Sequence, residues 1–350
     1  MPLRNFLSNI GRGKAALNRI RKTIHPHQNG TEERPATVNI FENLANSLIV
    51  LSNRLLDLGR HGEALAAIQE AVGLQRALAA ERPQAFNTNL AVSLNNLSAR
   101  LADHGRHEEA LAAIQEAVGL RRALAAEQPA DADLAASLNN LSERLADHGR
   151  HAEALAAIQE AVGLRRALAA ERPAAFNADL ADSLNNLSVR LSDHGRHEEA
   201  LAAIQEAVGL HRALAAERPQ AFNADLAWSL NALSVHLSHL GQHEEALVPI
   251  QEAVGMRRAL AAERPAAFNA VLADSLVNLS IHLSSLGRHA EALEAAQESV
   301  DMYRVPAAER PRVFTSELSN ALWQLSLCLS ASGREAEAKV AWEEAQSLRL

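Results

Sequence analysis

Apolar residues recur along the chain in two alternating blocks. In one, Leu94, Leu97 and Leu101 fall on a single helical face. In the next, Ala110, Leu111, Ile114, Ala117 and Val118 mark a second face at i, i+3, i+4, i+7 spacing. The polar break Asp103-His104-Gly105-Arg106 separates them, and the second block runs to about Glu127 before Pro129 stops it. The pattern predicts two helices, joined by a turn short enough to force them antiparallel.

The pair is repeated. Gly-Arg-His recurs, with small variations, at Gly59, Gly105, Gly149, Gly195, Gly241, Gly287 and Gly333, at spacings of 46, 44, 46, 46, 46 and 46 residues. Gln115-Glu116-Ala117-Val118-Gly119-Leu120 returns unchanged at 69–74, 159–164 and 205–210. Such periodicity means an array of supersecondary units. The period also fits armadillo or HEAT arrays, and length does not choose among them. The residues are more specific. Leu94, Leu97, Ser98, Leu101, Gly105, Ala110, Ile114 and Ala117 form a register repeated at Leu184, Leu187, Ser188, Leu191, Gly195, Ala200, Ile204 and Ala207. It returns at Leu322, Leu325, Ser326, Leu329, Gly333, Ala338, Trp342 and Ala345. This register resembles the tetratricopeptide repeat signature, with Leu at its aromatic positions and Ser at its small one. The long unit and the paired asparagines of Ser93-Leu94-Asn95-Asn96-Leu97 look like the kinesin-light-chain-like subgroup. Similar repeats also occur beside the NTPase cores of NOD-like signalling proteins, but no Gly-x4-Gly-Lys-Ser/Thr is present.

The resemblance implies an all-α, right-handed α-solenoid of antiparallel helix pairs. Seven tandem repeats would fill residues 35–350, and a basic, degenerate half-repeat or amphipathic helix would fill 1–34. It implies a non-enzymatic scaffold, needing no cofactor, whose first helices line a concave groove that holds an extended protein segment. The alternative is a regulatory or sensor array related to NOD-like NTPase signalling proteins, acting through self-assembly.

Composition agrees with helices packed through small side chains. Hydrophobic residues make up 48% and aromatics only 3%. The longest unbroken apolar runs, such as Ala154-Leu155-Ala156-Ala157-Ile158, are too short for a bilayer span. The only cysteine is Cys328, which excludes an intrachain disulfide and makes a reducing, cytoplasmic setting the expectation. Residues 1–34 carry seven Lys/Arg and two acids, whereas the remainder carries 27 basic and 40 acidic residues. Nucleic acid is therefore not an expected partner of the body. Residues 1–24 are amphipathic and basic, which leaves membrane contact open as a minor reading. No polar capping helix follows unit seven, so fraying or a homotypic end contact is expected there.

Internal comparison of the repeats marks the positions that vary. Counted back from each turn glycine, position −13 includes Asp182, Trp228 and Asp274, and position −6 includes Glu143, Val235, Ile281 and Leu327. Trp323 stands at −10, where four other repeats carry Asn95, Asn139, Asn185 and Asn231. These positions share one helical face. The amides are read as a ladder that clamps a peptide backbone, the rival reading being a bond to a neighbouring helix. At −2, Asp103, Asp147 and Asp193 add negative charge, either for a basic partner or for local pairing with the arginine three residues earlier. The partner is accordingly expected to have basic and apolar segments. His-x2-His at the turns has metal-like spacing, but the later histidine is expected to pack in place of a turn aromatic. Gly73, Gly119, Gly163, Gly209 and Gly255 inside the second helices are expected to mark close helix contact or a shallow bend.

Overall fold

The computed structural model describes residues 34–125 and 132–349. The basic segment 1–33, and the chain around Pro129, lie outside the described residues. Fourteen helices and no strands occur among the described residues. The first helices of the pairs are α1 (Arg34–Asp57), α3 (Pro83–Asp103), α5 (Ala132–Asp147), α7 (Pro173–Asp193), α9 (Pro219–His239), α11 (Pro265–Ser285) and α13 (Pro311–Ala331). The second helices are α2 (His61–Glu81), α4 (His107–Ala125), α6 (His151–Glu171), α8 (His197–Glu217), α10 (His243–Glu263), α12 (His289–Glu309) and α14 (Glu335–Ser347). Backbone packing divides the chain into two compact units, Met1–Ser93 and Leu94–Leu350. In the first, α1 packs on α2, with Ala45, Leu48 and Leu55 buried along with Ala64, Ile68 and Val72. In the second, each helix from α4 to α14 packs on the next, which makes an all-α solenoid of helix pairs.

Two turns generate the repeat. Within a pair the first helix ends in a Schellman motif. In repeat 4, Gly195 N–H donates to the Ser192 carbonyl (2.9 Å) and Arg196 N–H to the Leu191 carbonyl (2.9 Å). This places the glycine at φ +68°, where a side chain would be strained. Between pairs a single residue suffices. Arg172 leaves the helical region (φ −138°, ψ 72°), and Pro173 opens the next helix at its first position, where no donor is needed. At Pro173 one helix has ended and the next begins. Arg172 also lies over the Phe176 ring at 4.8 Å, a contact repeated by Arg218 on Phe222, Arg264 on Phe268 and Arg310 on Phe314.

The expected core residues are inside. Leu184, Leu187 and Leu191 of α7, with Ala200, Ile204 and Ala207 of α8, are buried. Ser188, Ser234, Ser280 and Ser326 fit the tight first-helix position by donating to the carbonyl three residues back, each at 2.7 Å. Successive second helices are tied by Arg122–Glu160, Arg166–Glu206, Arg212–Glu252, Arg258–Glu298 and Arg304–Glu344. Successive first helices (α7, α9, α11, α13) also approach one another closely.

Three expectations are corrected. A Cβ at Gly73, Gly119, Gly163, Gly209 or Gly255 would meet nothing within 4 Å, so these glycines accommodate no close helix. Trp342, expected on the inner face of α14, is exposed, and Ala338, Ala341 and Ala345 turn inward instead. Helix α11 is long and apolar enough, by length and composition, to cross a membrane, with a mean hydropathy of 1.3 over its best window. Run length missed this because single polar residues such as Asp274 and Asn278 interrupt an otherwise apolar helix. It packs against α10, α12 and α13 as a core helix of the stack.

The open glycines give a direct test. Replacing Gly119, Gly163, Gly209 and Gly255 together by Ala should raise the unfolding free energy by about 0.5–1 kcal/mol per site. Gly195→Ala, in the left-handed turn, should lower it by about 1–2 kcal/mol. Urea titration of the full chain, followed by circular dichroism, reads both.

Candidate functional site

The varied columns of the first helices lie on one exposed face. Trp228 is 42% exposed and Trp323 45%, and Ile281 and Leu327 are also exposed while Val235 is half-buried. These large apolar side chains stand out because the repeating apolar positions between them are buried. They sit on α9, α11 and α13, in repeats 5 to 7.

The acids of repeats 2 to 4 are exposed on α3, α5 and α7, but each is already paired. Arg100 lies 3.6 Å from Asp103, Arg144 3.1 Å from Asp147 and Arg190 3.0 Å from Asp193, and Arg144 also reaches Glu143 at 2.6 Å. The local pairing weighed for these residues is thus present. It reduces the bare negative charge that Asp103, Asp147, Asp193 and Glu143 offer a partner.

The asparagine ladder turns inward. Asn185 is fully buried and donates from Nδ2 to Ser229 Oγ (2.9 Å) on the next first helix. Asn139 Oδ1 accepts from Ser183 Oγ (3.3 Å) and Asn186 Nδ2 (3.1 Å). Asn231 Oδ1 accepts from Ser275 Oγ (2.9 Å) and Asn278 Nδ2 (3.2 Å), and Asn95 Oδ1 accepts from Asn140 Nδ2 (3.1 Å). For Asn185 burial excludes a peptide contact, which corrects the clamp reading there. In Asn95, Asn139 and Asn231 the carbonyl oxygens serve the seam between repeats, and the side chains remain half-buried. The amide competes for polar atoms of the adjacent helix, and those atoms lie closer than any ligand.

The same seam holds groups that variation among the first helices did not reveal. Sixteen residues after the turn glycine, the second helices bury Arg121, Arg165, His211, Arg257 and Tyr303. Arg121 pairs with Asp133 at 2.9 Å. Arg257 donates to the Val271 carbonyl (2.6 Å) and Ser275 Oγ (2.5 Å). Tyr303 donates to the Asp274 carboxylate and to the Ala270 carbonyl. Comparing second helices with one another would have found this column. At −5, arginine gives way to His236 and His282, both buried. His236 Nε2 meets Ser188 Oγ at 3.0 Å, and neither nitrogen of His282 has a partner. Burial drives both imidazoles down to about 4, aided by His239 and His197 for His236 and by His243 for His282. The turn histidines pack edge-to-face across repeats, His107 with His148, His151 with His194 and His197 with His239.

Tandem helix pairs that leave an apolar face on their first helices define a helical-repeat protein of the interaction-scaffold class. A family model described as Tetratricopeptide repeat matches residues 90–129, 134–171, 180–217, 226–263 and 272–305, and a second of the same description matches 45–70. Together they cover more than half of the chain, which belongs to the tetratricopeptide repeat family. Among solved structures it is similar to RapI in its apo form, with a TM-score of 0.61 and 11% identity over 87% of this chain and 97% of that one. It is similar to aspartyl phosphate phosphatase F from Bacillus subtilis, with a TM-score of 0.61 and 12% identity over 91% of this chain and 73% of that one. It is also similar to BtubC (BKLC) from P. vanneervenii, with a TM-score of 0.56 and 20% identity over 69% and 91% of the two chains. At these identities the likeness is one of fold. No curated protein matches.

The buried histidines give stability a sign with pH. Their folded pKa values lie below the ordinary value of 6.5, so the unfolded chain binds the protons that the folded chain refuses. Stability should be constant above pH 6.5 and fall as pH drops toward 4, by at most about 2–3 kcal/mol per histidine. Urea midpoints measured across this window should flatten in a His236→Leu, His282→Leu variant.

Proposed function

We propose that the protein is a non-enzymatic scaffold that holds an extended polypeptide segment against its first-helix face. The observation that carries this reading is the set of large apolar side chains left exposed there: Trp228, Ile281, Trp323 and Leu327. Apolar patches of this kind favour a partner over water. Val235, Ile281 and Leu327 occupy one column in three successive repeats, and Trp323 lies one turn before Leu327 on α13. The close approach of successive first helices supports a surface that is concave on this side. An aliphatic or aromatic anchor of the segment would supply affinity there. The arginine partners of Asp103, Asp147 and Asp193 make those acids minor contributors.

A peptide-display selection on the full chain tests the reading. Selected segments should carry an apolar anchor, crosslink to α11 or α13, and lose about 2 kcal/mol or more of binding with Trp323→Ala and Leu327→Ala combined. Thermal stability should hold, because both side chains are exposed. Segments that crosslink only to the second helices would overturn it.

A further inference from the structure

Along column −13, repeats 4, 5 and 6 carry Asp182, Trp228 and Asp274. Asp274 is engaged by the Tyr303 hydroxyl. Asp182 is different: its side chain is 59% exposed, and His211 Nε2 lies 3.5 Å from its carboxylate. His211 is 1% exposed, and its Nε2 makes no hydrogen bond. Ser229 Oγ lies 3.1 Å from the Asp225 carbonyl, 2.9 Å from Asn185 Nδ2 and 2.8 Å from His211 Nδ1, so it engages the inner side of the ring. The outer nitrogen, Nε2, is buried without a hydrogen-bond partner and faces the exposed Asp182 carboxylate, which is thus left short of donors.

A second carboxylate adds to this deficit. Asp225, on α9, is held above the ordinary carboxylate range by burial and by the charge of Asp182. The cation behind them, Arg165, directs Nη1 to the Asp179 carbonyl and to Ser183 Oγ (2.8 Å). Asp179 and Asp182 both act on Arg165, while Asp225 feels the charge of Asp182 and, in opposition, that of His211. Trp228 lies one turn beyond Asp225 on the same helix, at the position Asp182 holds in the preceding repeat, and its indole is exposed.

The geometry points to a receptor for an arginine side chain of a partner polypeptide, stacked on Trp228 and donating to Asp182 and Asp225. A guanidinium suits the place because it is planar, stacks on indole and presents five donors to acceptors spread around it, whereas an ammonium is a compact point charge. The receptor rests on the reading that a segment lies along the first helices, and it names the basic residue of that segment.

The test uses the full chain labelled with 15N. The three tryptophan indole signals are assigned with Trp228→Phe, and acetyl-Gly-Arg-Gly-amide is titrated at low salt. The arginine peptide should shift the Trp228 indole saturably, and the peptide with neutral citrulline should not. The lysine peptide should bind roughly tenfold more weakly. Asp182→Asn and Asp225→Asn should each weaken binding by roughly tenfold, the loss for a charged hydrogen-bond partner. Glu252→Gln, on a second helix, should change nothing. Unchanged Trp323 and Trp342 signals report that each variant is folded. Equal shifts from arginine and citrulline, or arginine binding indifferent to both aspartate variants, would overturn the receptor. Display-selected segments that depend on Trp323 but ignore Asp182→Asn and Asp225→Asn would overturn it while the groove reading stands. Segments that bind only the second helices would end the groove reading, and the tripeptide titration would still decide the receptor.

Discussion

The one-residue link between a second helix and the next first helix is the constraint on which the other features depend. Arg172, Arg218, Arg264 and Arg310 hold nearly the same backbone angles, and each stacks on the phenylalanine four residues on. A link of one residue has almost no freedom. With the left-handed glycine fixing the other turn, every pair meets the next in the same register. That register lets Ile158, Ile204 and Ile250 reach the same buried place in three repeats. It also lets side chains 44 to 48 residues apart bond as standing partners, as Asn185 does with Ser229 and His236 with Ser188.

Because the frame is so regular, the energetics concentrate at the seam. Alanine-rich second helices offer little apolar area per residue, so the buried polar atoms have to be satisfied across repeats or cost stability. Arg257 meets this through hydrogen bonds to the next repeat that no single pair could make alone, and Tyr303 through a bond to the first helix of its own pair. The surface ion pairs contribute less. Arg196–Glu199 and its counterparts are exposed, where measured worth is about 0–1 kcal/mol. Their use is to hold charge in fixed local pairs, which leaves the tryptophans and aliphatic residues of repeats 5 to 7 as the open chemistry of the first-helix face.

The fold was legible because its signals are local and redundant. Leu184, Leu187 and Leu191 state the first-helix face, Ala200, Ile204 and Ala207 the second, and Gly195 the turn. The glycines inside the second helices misled because a helical glycine has the same sequence signature whether it is crowded or open, and at Gly163 only the neighbouring atoms decide. The face was legible in part. Trp228, Ile281, Trp323 and Leu327 are exposed as their variation suggested. Asn185 was misjudged, since a polar side chain that recurs every repeat reads alike whether it meets a ligand or Ser229. Asp225 went unnoticed, and so did His211, whose setting depends on contacts 14 to 29 residues away that no periodicity encodes.

The departures from repetition are coupled, and the coupling divides the second unit. Wherever position −5 is arginine in repeats 2 to 4, position −2 is the aspartate that neutralises it. Where −5 becomes His236 or His282, that aspartate is gone, and in repeat 7 Cys328 is accompanied by Ala331. A largely buried arginine without a counter-charge would be costly, and a carboxylate beside a buried neutral imidazole would favour its protonation, so the two positions change together. At positions −5 and −2, repeats 2 to 4 therefore carry a charged, locally neutralised pair, whereas repeats 5 to 7 carry uncharged groups there. The apolar first-helix face lies in the latter repeats, where these two positions add no fixed charge to hold water against desolvation. Asp182 and Asp225 stand where the two kinds of repeat meet, between α7 and α9. There a carboxylate still lacks a matched cation, and an apolar surface begins beside it. A charge brought by a partner would meet both at that boundary, the carboxylate supplying the pairing and the indole the apolar surface.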